Sequence, residues 1–150
     1  MTVVNTSDAD IIAAYTTPSV QAAATWNPML AEIVAQPGST QVFDSSKIPG
    51  EILDMMVVNT QTLQDNPDFG KALVGAWFEI LELMQAGTPE ATDALTEMAK
   101  ASGTDLAGFQ AQLATTKLFY TPQETLDFVT SPALPETMTK VANFLSLIHI

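Results

Sequence analysis

Cysteine and arginine are both missing from this 150-residue chain. Without cysteine there is no thiol catalysis, no disulfide and no thiolate metal site. Without arginine the chain lacks the planar fork that grips carboxylate, phosphate or sulfonate through paired donors. Positive charge is scarce altogether, with five lysines set against 17 acidic residues and a formal net charge of -12. No basic stripe can form, so nucleic acid and an anionic membrane surface are poor partners. Histidine occurs once, at His149, which is a weak signal for general acid–base chemistry. No apolar run approaches the ~20 residues needed to span a bilayer. Charged residues make up 15% of the chain and apolar residues 47%. That balance excludes a disordered chain, and the length suits one domain with a core.

Along the chain, the front half alternates between strand-like and helix-like pieces. Thr2 to Val4 reads as a strand. Thr6 or Ser7 then caps a helix with Asp8 and Asp10 in its first turn, where the helix dipole favours anions. Thr17-Pro18 ends it. Val20 to Trp26 reads as a second strand, and Asn27-Pro28 opens a helix carrying Met29, Leu30, Ile33 and Val34 on its inner side. Pro37-Gly38 stops that helix. Everything after about residue 60 reads as helix. The strongest one starts at Asn66-Pro67-Asp68, with Trp77 on its apolar stripe as a core residue and Glu79, Glu82 and Gln85 on the opposite, solvated face. Thr88-Pro89, Thr104-Asp105 and the capping box Thr121-Pro122-Gln123-Glu124 start further helices. The methionines read as packing rather than as a metal box.

The rest is organised around VFDSSKIPGEILDMMVVNT, residues 42–60. A short strand, Gln41 to Phe43, precedes a turn at Asp44, Ser45 and Ser46 and another at Pro49-Gly50. A run rich in β-formers follows, Ile52 to Val58, without polar alternation. Such a run is expected to be a strand buried on both faces. It carries one carboxylate, Asp54, which burial would force to find a partner. Either Asp54 sits at the strand's mouth and binds a ligand, or it accepts neighbouring backbone N–H groups. Trp26, at a strand end before Asn27-Pro28, can line a cleft or pack in the core. The order of elements predicts an α/β fold with a short mixed sheet followed by a helical tail. No nucleophile–base pair, Gly-rich phosphate loop or metal-ligand cluster is present, which points away from an enzyme.

Four stretches, VNTSDADIIAAY, VQAAATWNPMLAEI, EILDMMVVNTQTLQDNPDFGKALVGAWFE and LATTKLFYTPQETLDF, together resemble the second half of known binding proteins. These are the substrate-binding proteins of nitrate, taurine and aliphatic-sulfonate ABC importers, in the branch associated with urea carboxylase genes. The resemblance implies the C-terminal part of a two-lobe periplasmic-binding-protein (type II) fold. Residues 1–45 would end the second lobe. Residues 46–144 would supply the crossover strand and helices of the first. A missing N-terminal portion would carry the signal peptide of a periplasmic or otherwise extracytoplasmic protein.

By the same resemblance the chain is a non-enzymatic fragment that captures a small nitrogen compound, guanidine- or urea-like or an amine. It would act with an ABC permease, without cofactor or metal and without inserting into the membrane itself. Asp54 matches a cleft acid that bonds a ligand's ammonium, and Trp26 and Asn27 match the strand–helix junction at the cleft. Glu51, close to Asp54 in sequence, is a candidate second acid, and two carboxylates would suit the paired donors of a guanidinium. The alternatives are taurine or alkyl-sulfonate binding, an enzyme of the pyrimidine-precursor synthase type, and a small helical interaction module. Finally, Leu145 to Ile150 (LSLIHI) resembles the translated end of a sequencing adapter, which implies that the native chain continues differently and that His149 has no role.

Overall fold

The computed structural model describes residues 2–147, and among them the chain forms eight α-helices and one 3-10 turn, with no strand. In order these are α1 (Asp8–Tyr15), α2 (Met29–Val34), the 3-10 turn Ser45–Lys47, α3 (Thr60–Asp65), α4 (Pro67–Gln85), α5 (Pro89–Ala101), α6 (Leu106–Ala114), α7 (Pro122–Val129) and α8 (Ala133–Leu147). This overturns the expected α/β fold, its short mixed sheet and with them the sheet of a two-lobe binding protein. Residues 2–4, 20–26, 41–43 and 52–58 carry neither helix nor ladder. The reason is that β-forming composition expresses itself only against a cross-strand neighbour. A ladder needs a second segment brought alongside by the rest of the chain, and among the described residues no segment pairs with these. Between residues 43 and 52 the chain is taken up by local turns, where Asp44 Oδ1 accepts from Ser46 N at 2.9 Å. Glu51 N bonds Ile48 O at 3.1 Å. A helix closes its own hydrogen bonds and needs no such distant partner.

The helix starts lie where local chemistry places them. Asn59 Oδ1 accepts from Gln61 N and Thr62 N at 2.9 and 3.2 Å to open α3. Asn66 Oδ1 accepts from Phe69 N at 3.3 Å ahead of Pro67 in α4. Asp105 Oδ1 accepts from Gly108 N at 2.8 Å to open α6. At α1, of the two candidates Thr6 and Ser7, it is Ser7 that stands at the cap. Ser7 is the N-cap without a side-chain bond to the backbone, and its hydroxyl donates to Asp10 Oδ2 at 2.5 Å.

The chain divides into two compact units. The first combines Met1–Phe43 with Thr96–Thr116. In it α1 packs on α2, Ile33 is buried, and Ser39 Oγ donates to the Tyr15 hydroxyl at 3.1 Å. The second combines Asp44–Leu95 with Lys117–Ile150. There α3 packs on α4, Leu81 is buried, and the Phe119 and Phe128 rings stack with centroids 4.9 Å apart. Gly50 backs onto the Phe128 ring, which a Cβ there would meet at 3.7 Å. Along α5 a stripe of buried residues four apart, Ala91, Leu95 and Ala99, marks its inner face.

Burial is shallow elsewhere. Trp77, expected in the core, is 46% exposed. Met55 and Met56, expected as packing, also face solvent, while Met84, Met98 and Met138 are half-buried. Of the tail, Leu145 and Leu147 lie in α8, whereas His149 is outside the described residues. Among those residues, no helix is long and apolar enough to cross a membrane.

Candidate functional site

Asp54 lies five residues before Asn59, the residue that caps α3. The stretch leading to it leaves the 3-10 turn through Gly50, whose φ of 82° suits glycine. From residue 53 to residue 59 the backbone runs free of helix and ladder. Its side chains are not sequestered on two faces. Ile52, Met55 and Val57 are 67%, 70% and 83% exposed, and only Leu53 and Val58 are half-buried. Asp54 and Glu51 are exposed as well. The expected desolvation is therefore absent, and neither carboxylate is under compulsion to find a protein partner.

Trp26 and Asn27 belong to the other unit. Trp26 is 62% exposed, so it is not a core residue, and its carbonyl accepts from Leu30 N at 2.9 Å at the entry to α2. Asn27 is half-buried, and its peptide bond to Pro28 is cis. Glu51 and Asp54 thus lie three residues apart on one unit, and Trp26 and Asn27 lie on the other.

A second constellation, which includes Glu79, Glu82 and Gln85 of the solvated face of α4, lies wholly within the second unit. One face of α4 and the residues leading into α7 enclose an open hollow of about 420 Å³. From α4 it takes Gly75, Phe78, Glu79, Glu82 and Gln85, the spacing that puts residues on one helix face. Tyr120, Thr121 and Pro122 form the facing wall. That wall is held by the capping box of α7. Glu124 Oε2 accepts from Tyr120 N at 2.9 Å and from Thr121 N at 3.1 Å, while Thr121 Oγ1 accepts from Glu124 N at 3.2 Å. The signal that marks this face in the sequence is Phe78 standing among Gly75, Glu79 and Glu82 on the polar side of α4.

Among the described residues no group of three or more histidine, cysteine or acidic side chains is placed to hold a metal ion. One carboxylate is tuned by its surroundings. A backbone hydrogen bond at the start of α5, and then the Thr88 hydroxyl, hold the Glu90 carboxyl below its ordinary value of 4.5.

No family model, curated protein or solved structure matches this chain.

Proposed function

We propose that this chain is a binding component rather than a catalyst, capturing a small cationic nitrogen compound as the solute-binding part of an ABC importer. The observation that carries the reading is Asp54, a carboxylate exposed amid exposed apolar side chains. An acid in such a setting offers charge and apolar contact side by side, which suits an amine or a guanidine-like ligand. Glu51, three residues away, can supply the second acceptor that a guanidinium's paired donors require. The absence of arginine and the net charge of -12 favour a cation over taurine or a sulfonate. The importer role, with its permease partner and extracytoplasmic location, comes from the resemblance of the sequence motifs.

The test is titration of the protein with guanidinium, urea, a primary amine, taurine and an alkyl sulfonate, alongside Asp54→Asn. A charge-assisted hydrogen bond that the bound ligand screens from water contributes roughly 1.5 to 3 kcal/mol, or about ten- to a hundredfold in affinity. A cation should bind best and lose at least about tenfold in the variant. A preferred ligand that is a plain anion, or a loss within about twofold, overturns the assignment.

A further inference from the structure

We infer that the hollow between α4 and the start of α7 is a binding site for an organic ammonium ion bearing apolar bulk, such as a quaternary amine. It is separate from the Asp54 reading in residues and in ligand. Three observations converge on it. Its volume, about 420 Å³, falls in the range of small-molecule sites, roughly 300 to 1,000 Å³. Its walls carry two aromatic rings, Phe78 and Tyr120, both half-buried. Its charged lining residues, Glu79 and Glu82, are both acidic, and no lysine lines it.

Aromatic faces and carboxylates together attract a cation that is large and weakly hydrated, because ring and charge add while little water must be removed. A neutral apolar molecule would gain the rings but not the charge. An anion would be repelled. A hard divalent ion takes about six or more oxygen ligands, which two glutamates and their neighbours do not assemble. Gly75 contributes by omission, since a Cβ there would meet nothing within 4 Å and the space stays open for ligand. The wall is also pre-set. Glu124 already binds the Tyr120 and Thr121 amides, so the chain beside the Tyr120 ring is fixed before any ligand arrives, and pre-organisation of that kind lowers the entropic cost of binding.

The experiment titrates the whole chain with tetramethylammonium chloride and with choline chloride at constant ionic strength. Sodium chloride and the neutral choline isostere 3,3-dimethylbutanol serve as controls. Ring-proton chemical shifts of Phe78 and Tyr120 provide the readout. The expected result is saturable binding of both ammonium ions at these rings, with the neutral isostere at least about tenfold weaker. Glu82→Gln and Glu79→Gln, both at exposed positions where folding is not at stake, should each weaken choline binding by about three- to tenfold, the scale of a partly screened charge contact. Asp54→Asn should leave it within twofold, whereas it governs guanidinium binding under the proposal above. Equal binding of the neutral isostere, shifts that follow ionic strength without saturating, or indifference to both glutamine variants overturns the site.

Discussion

Gly75 sits in the interior of α4 with an ordinary helical backbone, and a Cβ added there would touch nothing within 4 Å. Glycine at such a position costs helix stability because it surrenders more backbone freedom on folding than alanine does. Gly75→Ala is therefore expected to raise stability by roughly 0.5 to 1 kcal/mol, seen as a higher urea midpoint at unchanged slope. A lower midpoint would mean that the space is already occupied. The same substitution narrows the hollow, so stability and ammonium binding should move in opposite directions. Asp54 shows what residue-level reading can and cannot reach. Its lone carboxylate among apolar neighbours is visible in the sequence. Its exposure is not, because burial depends on which other segments cover it. The solvated character of Glu79 and Glu82 was legible from their place opposite the apolar stripe. That they line one hollow with Tyr120 and Pro122 depends on residues about 40 positions away along the chain, which periodicity cannot show.

Helix α7 is the element whose origin is clearest, since its start is written in four consecutive residues, Thr121 to Glu124. Both halves of the reciprocal cap form, with the Thr121 hydroxyl accepting from Glu124 N and the Glu124 carboxylate accepting from Thr121 N. Thr121→Ala removes one acceptor from the first turn and should cost about 1 kcal/mol, within the usual range for N-cap loss. Thr121→Ser should restore most of it. An alanine variant as stable as the parent would show that water caps α7 equally well.

Such starts are legible because every partner lies within about four residues. The strands were not, for the opposite reason. Residues 52–58 have the composition of a strand, yet a ladder requires a neighbour set by the whole chain, and among the described residues none pairs with them. Trp77 fails similarly. Its place on the apolar stripe of α4 is correct, but the stripe is covered at Leu81 and open at Trp77 and Ile80. At the start of α5 a smaller effect is measurable. Glu90 is held below 4.5 by the backbone and by the Thr88 hydroxyl. A carboxyl lowered on folding adds stability above its unfolded value, and this is lost as pH falls through the lowered folded value. Carboxyl resonances followed from pH 7 to pH 2 should therefore show Glu90 titrating below its ordinary value of 4.5, and Thr88→Val should move it upward. A midpoint at or above 4.5 in the parent would contradict both hydrogen bonds.

At the scale of the whole chain, many large apolar side chains stay exposed, including Phe69, Val74, Trp77 and Ile80 on α4, Leu126 and Val129 on α7, and Phe144 and Leu147 on α8. Two opposing forces then act between copies. Apolar faces attract at short range, and a net charge of -12 on each chain repels at longer range. Salt separates the two, because screening shortens from a length of about 10 Å at 0.1 M to about 3 Å at 1 M while apolar attraction persists. Sedimentation at fixed protein concentration should accordingly show association that grows as sodium chloride is raised from 0.05 to 1 M, on the ionic-strength scale of that screening. Thermal unfolding at low salt should be broad, since few side chains are buried deeply enough to melt together. Val57→Lys and Trp77→Lys, each placing a positive charge on an exposed apolar position, test where the attraction lies. If the open faces drive association, both substitutions should reduce it at 1 M salt, although each lowers the net negative charge and would favour association on electrostatic grounds alone. A monomer at every salt concentration with a sharp transition would show that these apolar faces do not drive association.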